Sequence, residues 1–125
     1  MKREIKFRAF LNSKHYEKPR MLSWGELLEQ YDAIDMFQRD MMTLMQYTGL
    51  KDKNGQSIYE GDIVRTGKDN IGDPEPMIGQ VIMREGSWLI ENEKMQEAIE
   101  LFSEITSREV IGNIFKNPEL LEEKQ

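Results

Sequence analysis

Cysteine is absent from the 125 residues, histidine occurs once and proline four times. Without cysteine there is no disulfide and no thiolate metal site, which suits a reducing compartment. A single histidine, His15, falls short of the several His or Cys ligands a zinc site needs. It sits in a polar stretch between Lys14 and Tyr16, with no Ser or Cys arrangement around it from which a nucleophilic triad is readable. No apolar run approaches the roughly 20 residues of a membrane-spanning helix. The opening Met1-Lys2-Arg3-Glu4 carries no apolar signal core. The expectation is a cytoplasmic protein without membrane contact. Neither G-x-x-x-x-G-K-[ST] nor G-x-G-x-x-G occurs, so no glycine-rich phosphate cradle is encoded.

What is there is a mixed composition, 38% hydrophobic and 32% charged, with a net charge of −6. The length and this balance suit one folded domain over 1–125 rather than a disordered chain. The charge is unevenly placed. Residues 1–20 hold seven basic side chains (Lys2, Arg3, Lys6, Arg8, Lys14, Lys18, Arg20) against Glu4 and Glu17, or +5, and the other 105 residues hold −11. A basic segment of this kind touches nucleic acid, lies against an acidic surface of its own or a neighbouring copy, or simply flanks a strand as solvated charge. The acidic remainder argues against broad, non-specific DNA binding.

Residues 4–10 alternate, with Ile5, Phe7 and Ala9 on one face and Lys6 and Arg8 on the other, the period of a strand with one dry face. Ser23-Trp24-Gly25-Glu26 has capping-box spacing, and Leu27, Leu28, Tyr31 and Ile34 follow at helical intervals, predicting a short helix over 24–31. Residues 32–41 carry no clear assignment. Strands are expected over 43–48, 57–59, 63–65, 79–84, 87–90 and 109–115. Asn54-Gly55 and Glu85-Gly86 are hairpin signals, and 66–76 reads as a loop. Met95, Ala98, Ile99 and Phe102 predict a helix over 93–102. Asn117-Pro118-Glu119 caps a short terminal helix. Short strands with tight turns from about 43 to 115 favour a small barrel or sandwich.

The stretch from Leu44 through Tyr47-Thr48-Gly49-Leu50-Lys51-Asp52-Lys53-Asn54-Gly55 to Ile58-Tyr59-Glu60-Gly61-Asp62-Ile63-Val64 resembles the signature of the YopX family of bacteriophage and prophage proteins. Arg3-Glu4-Ile5-Lys6-Phe7-Arg8-Ala9 resembles its first strand. Glu109-Val110-Ile111-Gly112-Asn113-Ile114-Phe115 with Asn117 to Leu121 resembles its closing segment. The matches are in order and span nearly the whole chain. Phe10 stands where the family commonly has Trp, and residues 12–40 and 66–106 match loosely. The resemblance implies an α+β, mostly β fold: a small SH3-like barrel over about residues 43–115 with an N-terminal strand and helix portion. Residues 1–42 would be a self-association portion, and 43–125 the barrel portion with its short C-terminal helix. The family is one of unknown function and defines no catalytic residues, so none is carried over.

Other residue groups have plain structural readings beside the functional ones. Glu60 and Asp62 are a carboxylate pair of the kind acid–base catalysis uses, but they flank Gly61 in a turn. Asp52-Lys53-Asn54-Gly55 begins like a calcium loop, yet its twelfth position is Ile63 rather than Glu. Met36, Met41, Met42 and Met45 around Phe37 fill a core or form a subunit interface. Phe7 and Phe10 beside Lys6 and Arg8 come nearest to a base-stacking platform, although Phe7 shares its face with Ile5. Trp24 and Trp88 are expected to pack. No catalytic, cofactor or metal residue is assigned. The expectation is a non-enzymatic phage or prophage accessory protein, a homo-oligomeric interaction module with possible host or phage protein partners; the alternative is a nucleic-acid-binding SH3-like module, by fold analogy alone.

Overall fold

The computed structural model describes residues 4–11, 20–67, 71, 76–102 and 107–122. The fold is α+β and mostly β: nine strands in two sheets, two short α-helices and a 3₁₀ turn among the described residues. The chain divides into two compact units, Met1–Tyr47 and Thr48–Gln125. No helix among the described residues is long and apolar enough to cross a membrane.

In the first unit, strand β1 (Phe7–Leu11) pairs antiparallel with β2 (Met21–Leu22) and with the near half of β3 (Met42–Lys51). Ala9 and Leu11 are buried and Phe7 is half-buried, as alternation demands, while Ile5 lies ahead of the strand and is exposed. Helix α1 (Trp24–Glu29) starts at the expected capping box. The Glu26 N–H donates to Ser23 Oγ at 3.2 Å and the Ser23 N–H donates to Glu26 Oε1 at 3.1 Å. The Ser23 amide, with the Arg20 guanidinium, holds the Glu26 carboxyl below its usual value. Gln30 ends the helix in an extended conformation, and α2 (Ala33–Gln38) follows in the stretch without a sequence assignment. Ala9, Leu11, Leu22, Leu27, Met36 and Met42 form the core, flanked by Phe7, Trp24, Ala33 and Met41. Met45 is also buried. The methionines therefore fill the interior, where an unbranched side chain closes irregular gaps; the Phe37 side chain lies outside the described residues.

In the second unit, β4 (Ser57–Tyr59) follows the hairpin turn at Gly55, whose φ is +83°. Strands β5 (Asp62–Thr66), β6 (Ile78–Arg84), β7 (Ser87–Asn92), β8 (Glu97–Glu100) and β9 (Arg108–Asn113) make a sheet of order β8-β7-β6-β5-β9, curved into a half-barrel. Glu85 (φ 52°) and Gly86 (φ 83°) turn β6 into β7, as the hairpin signal predicts. Ile58, Val64, Met77, Val81, Ile90 and Leu101 form this unit's core, with Leu50, Trp88, Ile99 and Val110 packed on it. A register shift between Ile63 and Val64 sets Ile111 as the extra residue of a bulge on β9.

One expectation is overturned. Residues 93–102 are not a helix: a turn leads into β8, which pairs with β7 with Ile90 opposite Ile99. Ile99 and Leu101 face inward at period two, while Met95, Ala98 and Phe102 are exposed. Asn92, buried, fixes the turn; its Nδ2 donates to the Ile78 carbonyl at 2.7 Å and its Oδ1 accepts from the Met95 N–H at 2.9 Å. The terminal helix after Asn117 is a 3₁₀ turn, Pro118–Glu122.

Candidate interaction surface

The first unit carries an open apolar groove of about 520 Å³ whose lining includes Phe7, Trp24, Leu28, Tyr31, Ile34 and Leu44. Its floor is the outer skin of the core: Phe7 and Trp24 are half-buried, with ring centroids 6.0 Å apart and planes tilted by 57°, a favourable aromatic arrangement. Its walls stand in solvent. Leu28 is 65% exposed, Tyr31 97%, Ile34 76% and Leu44 40%. The local chain explains this. Helix α1 is six residues long and turns Leu27 into the core, which places its neighbour Leu28 about 100° around the helix axis. Tyr31 lies beyond the C-cap, and Ile34 starts α2 on the side away from buried Met36.

The polar rim is Gln30, Asp32 and Asp35. Gln30 Nε2 donates to Asp32 Oδ1, and Asp35 pairs with Arg39 at 3.0 Å one turn along α2. Gln30 and Asp32 are bound to each other and Asp35 to Arg39, rather than aimed at a common point. Removing Leu28, Tyr31 or Ile34 from water is worth roughly 1.5–3 kcal/mol each. An exposed ion pair contributes about 0–1 kcal/mol. Apolar contact therefore dominates what this surface can do.

The residues singled out in the sequence are mostly dispersed or structural. Asp62 is buried and accepts from the Tyr59 N–H at 2.8 Å, a strand-entry turn, with Glu60 beside it only half-buried. Asp52 Oδ1 accepts from the Asn54 and Gln56 N–H groups and Oδ2 from the Val110 N–H, all at 2.9 Å. Its carboxylate organises the hairpin and ties it to β9. Lys6 lies over the Tyr47 ring at 4.5 Å from its centroid, so this part of the basic segment is occupied within the unit. Trp88 packs on the second core. His15 lies outside the described residues. Among the described residues no three His, Asp or Glu side chains converge to hold a metal.

Sequence reasoning found the groove's residues but not the groove. Leu27, Leu28, Tyr31 and Ile34 were legible as a helical stripe, and a stripe is ordinarily a buried face. Only Leu27 meets that expectation.

The family model described as YopX protein matches residues 6–122. A crystal structure of protein EF1440 from Enterococcus faecalis is similar over 94% of this chain and 98% of its own, with 20% identity and a TM-score of 0.48. No curated protein searched matches the chain.

Proposed function

Since the chain belongs to the YopX family, we propose that it is a non-enzymatic bacteriophage or prophage accessory protein of the host cytoplasm that works as a homo-oligomer joined through its first unit. The observation that carries this reading is the exposed apolar face of Leu28, Tyr31, Ile34 and Leu44 over the Phe7–Trp24 floor. An apolar surface of this continuity marks an association site.

Charge supports a second copy as its occupant. Residues 1–20 carry seven basic and two acidic side chains, and residues 21–47 carry one basic (Arg39) and five acidic (Glu26, Glu29, Asp32, Asp35, Asp40). The first unit is thus +5 against −4 within itself, self-complementary and close to neutral. Residues 48–125 carry nine basic and sixteen acidic side chains, or −7, and two copies repel there.

The test is the solution mass by light scattering after size exclusion. The expected result is a defined multiple of 14.8 kDa. The double substitution Tyr31→Lys and Ile34→Asp, at exposed positions that leave the core intact, should return the chain to monomer with its circular dichroism spectrum kept. A wild-type monomer at micromolar concentration overturns the reading, as does an oligomer indifferent to both substitutions.

A further inference from the structure

The half-barrel has two edges, and they differ. The β9 edge is covered within the unit: the Val110 N–H donates to Asp52 and the Arg108 carbonyl accepts from the Lys53 N–H at 2.9 Å. The β8 edge has no strand beyond it among the described residues. Its ladder fixes which groups face out. The Leu101 N–H donates to the Trp88 carbonyl at 3.0 Å, and Ile99 lies opposite Ile90, so residues 97, 99 and 101 bond toward β7. The N–H and C=O groups of Ala98 and Glu100 then point away from the sheet. The edge is held at both ends, by the Asn92 clamp at the turn and by Leu101, fully buried in the core.

An open edge is a template for another strand. Natural edges are commonly guarded by Lys, Pro or a bulge. Glu97-Ala98-Ile99-Glu100 has no Lys, Pro or bulge; its guards are its four-residue length and the charges of Glu97 and Glu100, which a basic strand would complement. Its surroundings are acidic: residues 91–100 hold Glu91, Glu93, Glu97 and Glu100 against Lys94. Beside the strand opens a depression of about 330 Å³ lined by Arg84, Glu91, Asn92, Glu93, Gln96 and Glu97; Arg84 is bonded to Glu91, which leaves Glu93 and Glu97 to a basic partner. A second copy is a poor occupant, because self-pairing brings one acidic edge against another.

We propose that the β8 edge accepts an extended, lysine- or arginine-bearing segment of another protein as a sixth strand. The backbone of Ala98 and Glu100 supplies the ladder bonds. Glu97, Glu100 and the neighbouring depression receive the basic side chains. This edge belongs to the second unit, and the proposal does not rest on oligomerisation.

The test uses the full chain and a fluorescent octapeptide of alternating Lys and Val, compared with its Glu and Val counterpart and with the Lys and Val peptide N-methylated along both edges. Glu97 and Glu100 lie on opposite faces of the strand, so an alternating peptide sets its basic side chains against one of them at a time, and one cross-strand charge pair predicts a several-fold advantage for the Lys peptide over the Glu peptide. N-methylation, which removes the ladder donors, should lower affinity at least as much. Glu97→Gln with Glu100→Gln should cut binding several-fold. Ala98→Pro should do so too, since the lost N–H faces away from β7. On binding, hydrogen exchange at Ala98 and Glu100 should slow. Equal affinity for the methylated peptide would mean charge adhesion without strand addition and overturns the proposal. So does unchanged exchange at both amides, which is read on wild-type protein and needs no variant to fold.

Discussion

At Asp52 one carboxylate does the work of a small linker. Burial pushes its carboxyl up, but the amides of Val110, Gln56 and Asn54 outweigh that and hold it below its ordinary value. A depressed carboxyl stabilises the fold above its unfolded value, here 3.8, and the stabilisation is lost as pH falls through the lower folded value. Asp52→Asn should therefore cost about 1–2 kcal/mol at pH 7 in urea unfolding, charged hydrogen bonds being the stronger kind. The difference from wild type should shrink as pH falls below 3.8, where the unfolded carboxyl takes up a proton that the native one still refuses. A constant difference across that range would rule out the charge as the cause. Sequence reading identified Asp52 to Gly55 as a turn from local chemistry alone. The bond to Val110, 58 residues further on, leaves no local trace. Asp62 was more legible, since its partner Tyr59 is only three residues away.

Among elements, the β6–β7 hairpin separates two reasons for glycine. Gly86 has a φ of +83° with nothing within 4 Å of a Cβ placed there. Gly79 lies in ordinary strand geometry, but a Cβ would meet Ile90 Cγ2 at 2.7 Å and the Glu91 carbonyl oxygen at 2.9 Å. Gly86→Ala should cost about 1 kcal/mol for the left-handed backbone alone. Gly79→Ala should cost more, about 2–3 kcal/mol, because a backbone carbonyl must shift. Thermal melts of the two variants check the order. The turn at Glu85-Gly86 could be read from sequence, whereas close approach across a sheet could not. The same limit explains β8. Met95, Ala98, Ile99 and Phe102 satisfy a helical period, but in Glu97 to Leu101 the alternation of Ile99 and Leu101 prevails because β7 supplies a partner. The capping box of α1 needed no such partner, and it was found where its residues predicted.

For the whole molecule, two cores share no member: Leu22 belongs to one and Leu101 to the other, each at 2% exposure or less. Leu22→Ala and Leu101→Ala should each destabilise by roughly 2–5 kcal/mol. Their combined cost in denaturant unfolding should equal the sum, because neither side chain belongs to the cluster that holds the other. The β-rich class was readable from turn spacing, and the first unit's exposed face was not, since periodicity reports a stripe without saying what covers it. The arrangement of β5 between β6 and β9 has a consequence in time. Val64 meets Gly79 on one side, close in sequence, and Val110 on the other, 46 positions away. As the chain leaves the ribosome, β5 has its first neighbour long before its second exists. Closing the longer loop costs more chain entropy, so β9 is expected to dock after the rest of its sheet. The Asp52 carboxylate is then a latch that engages last. Stopped-flow kinetics of Asp52→Asn should show faster unfolding with little change in the folding rate; a slowed folding limb would place β9 in the nucleus instead.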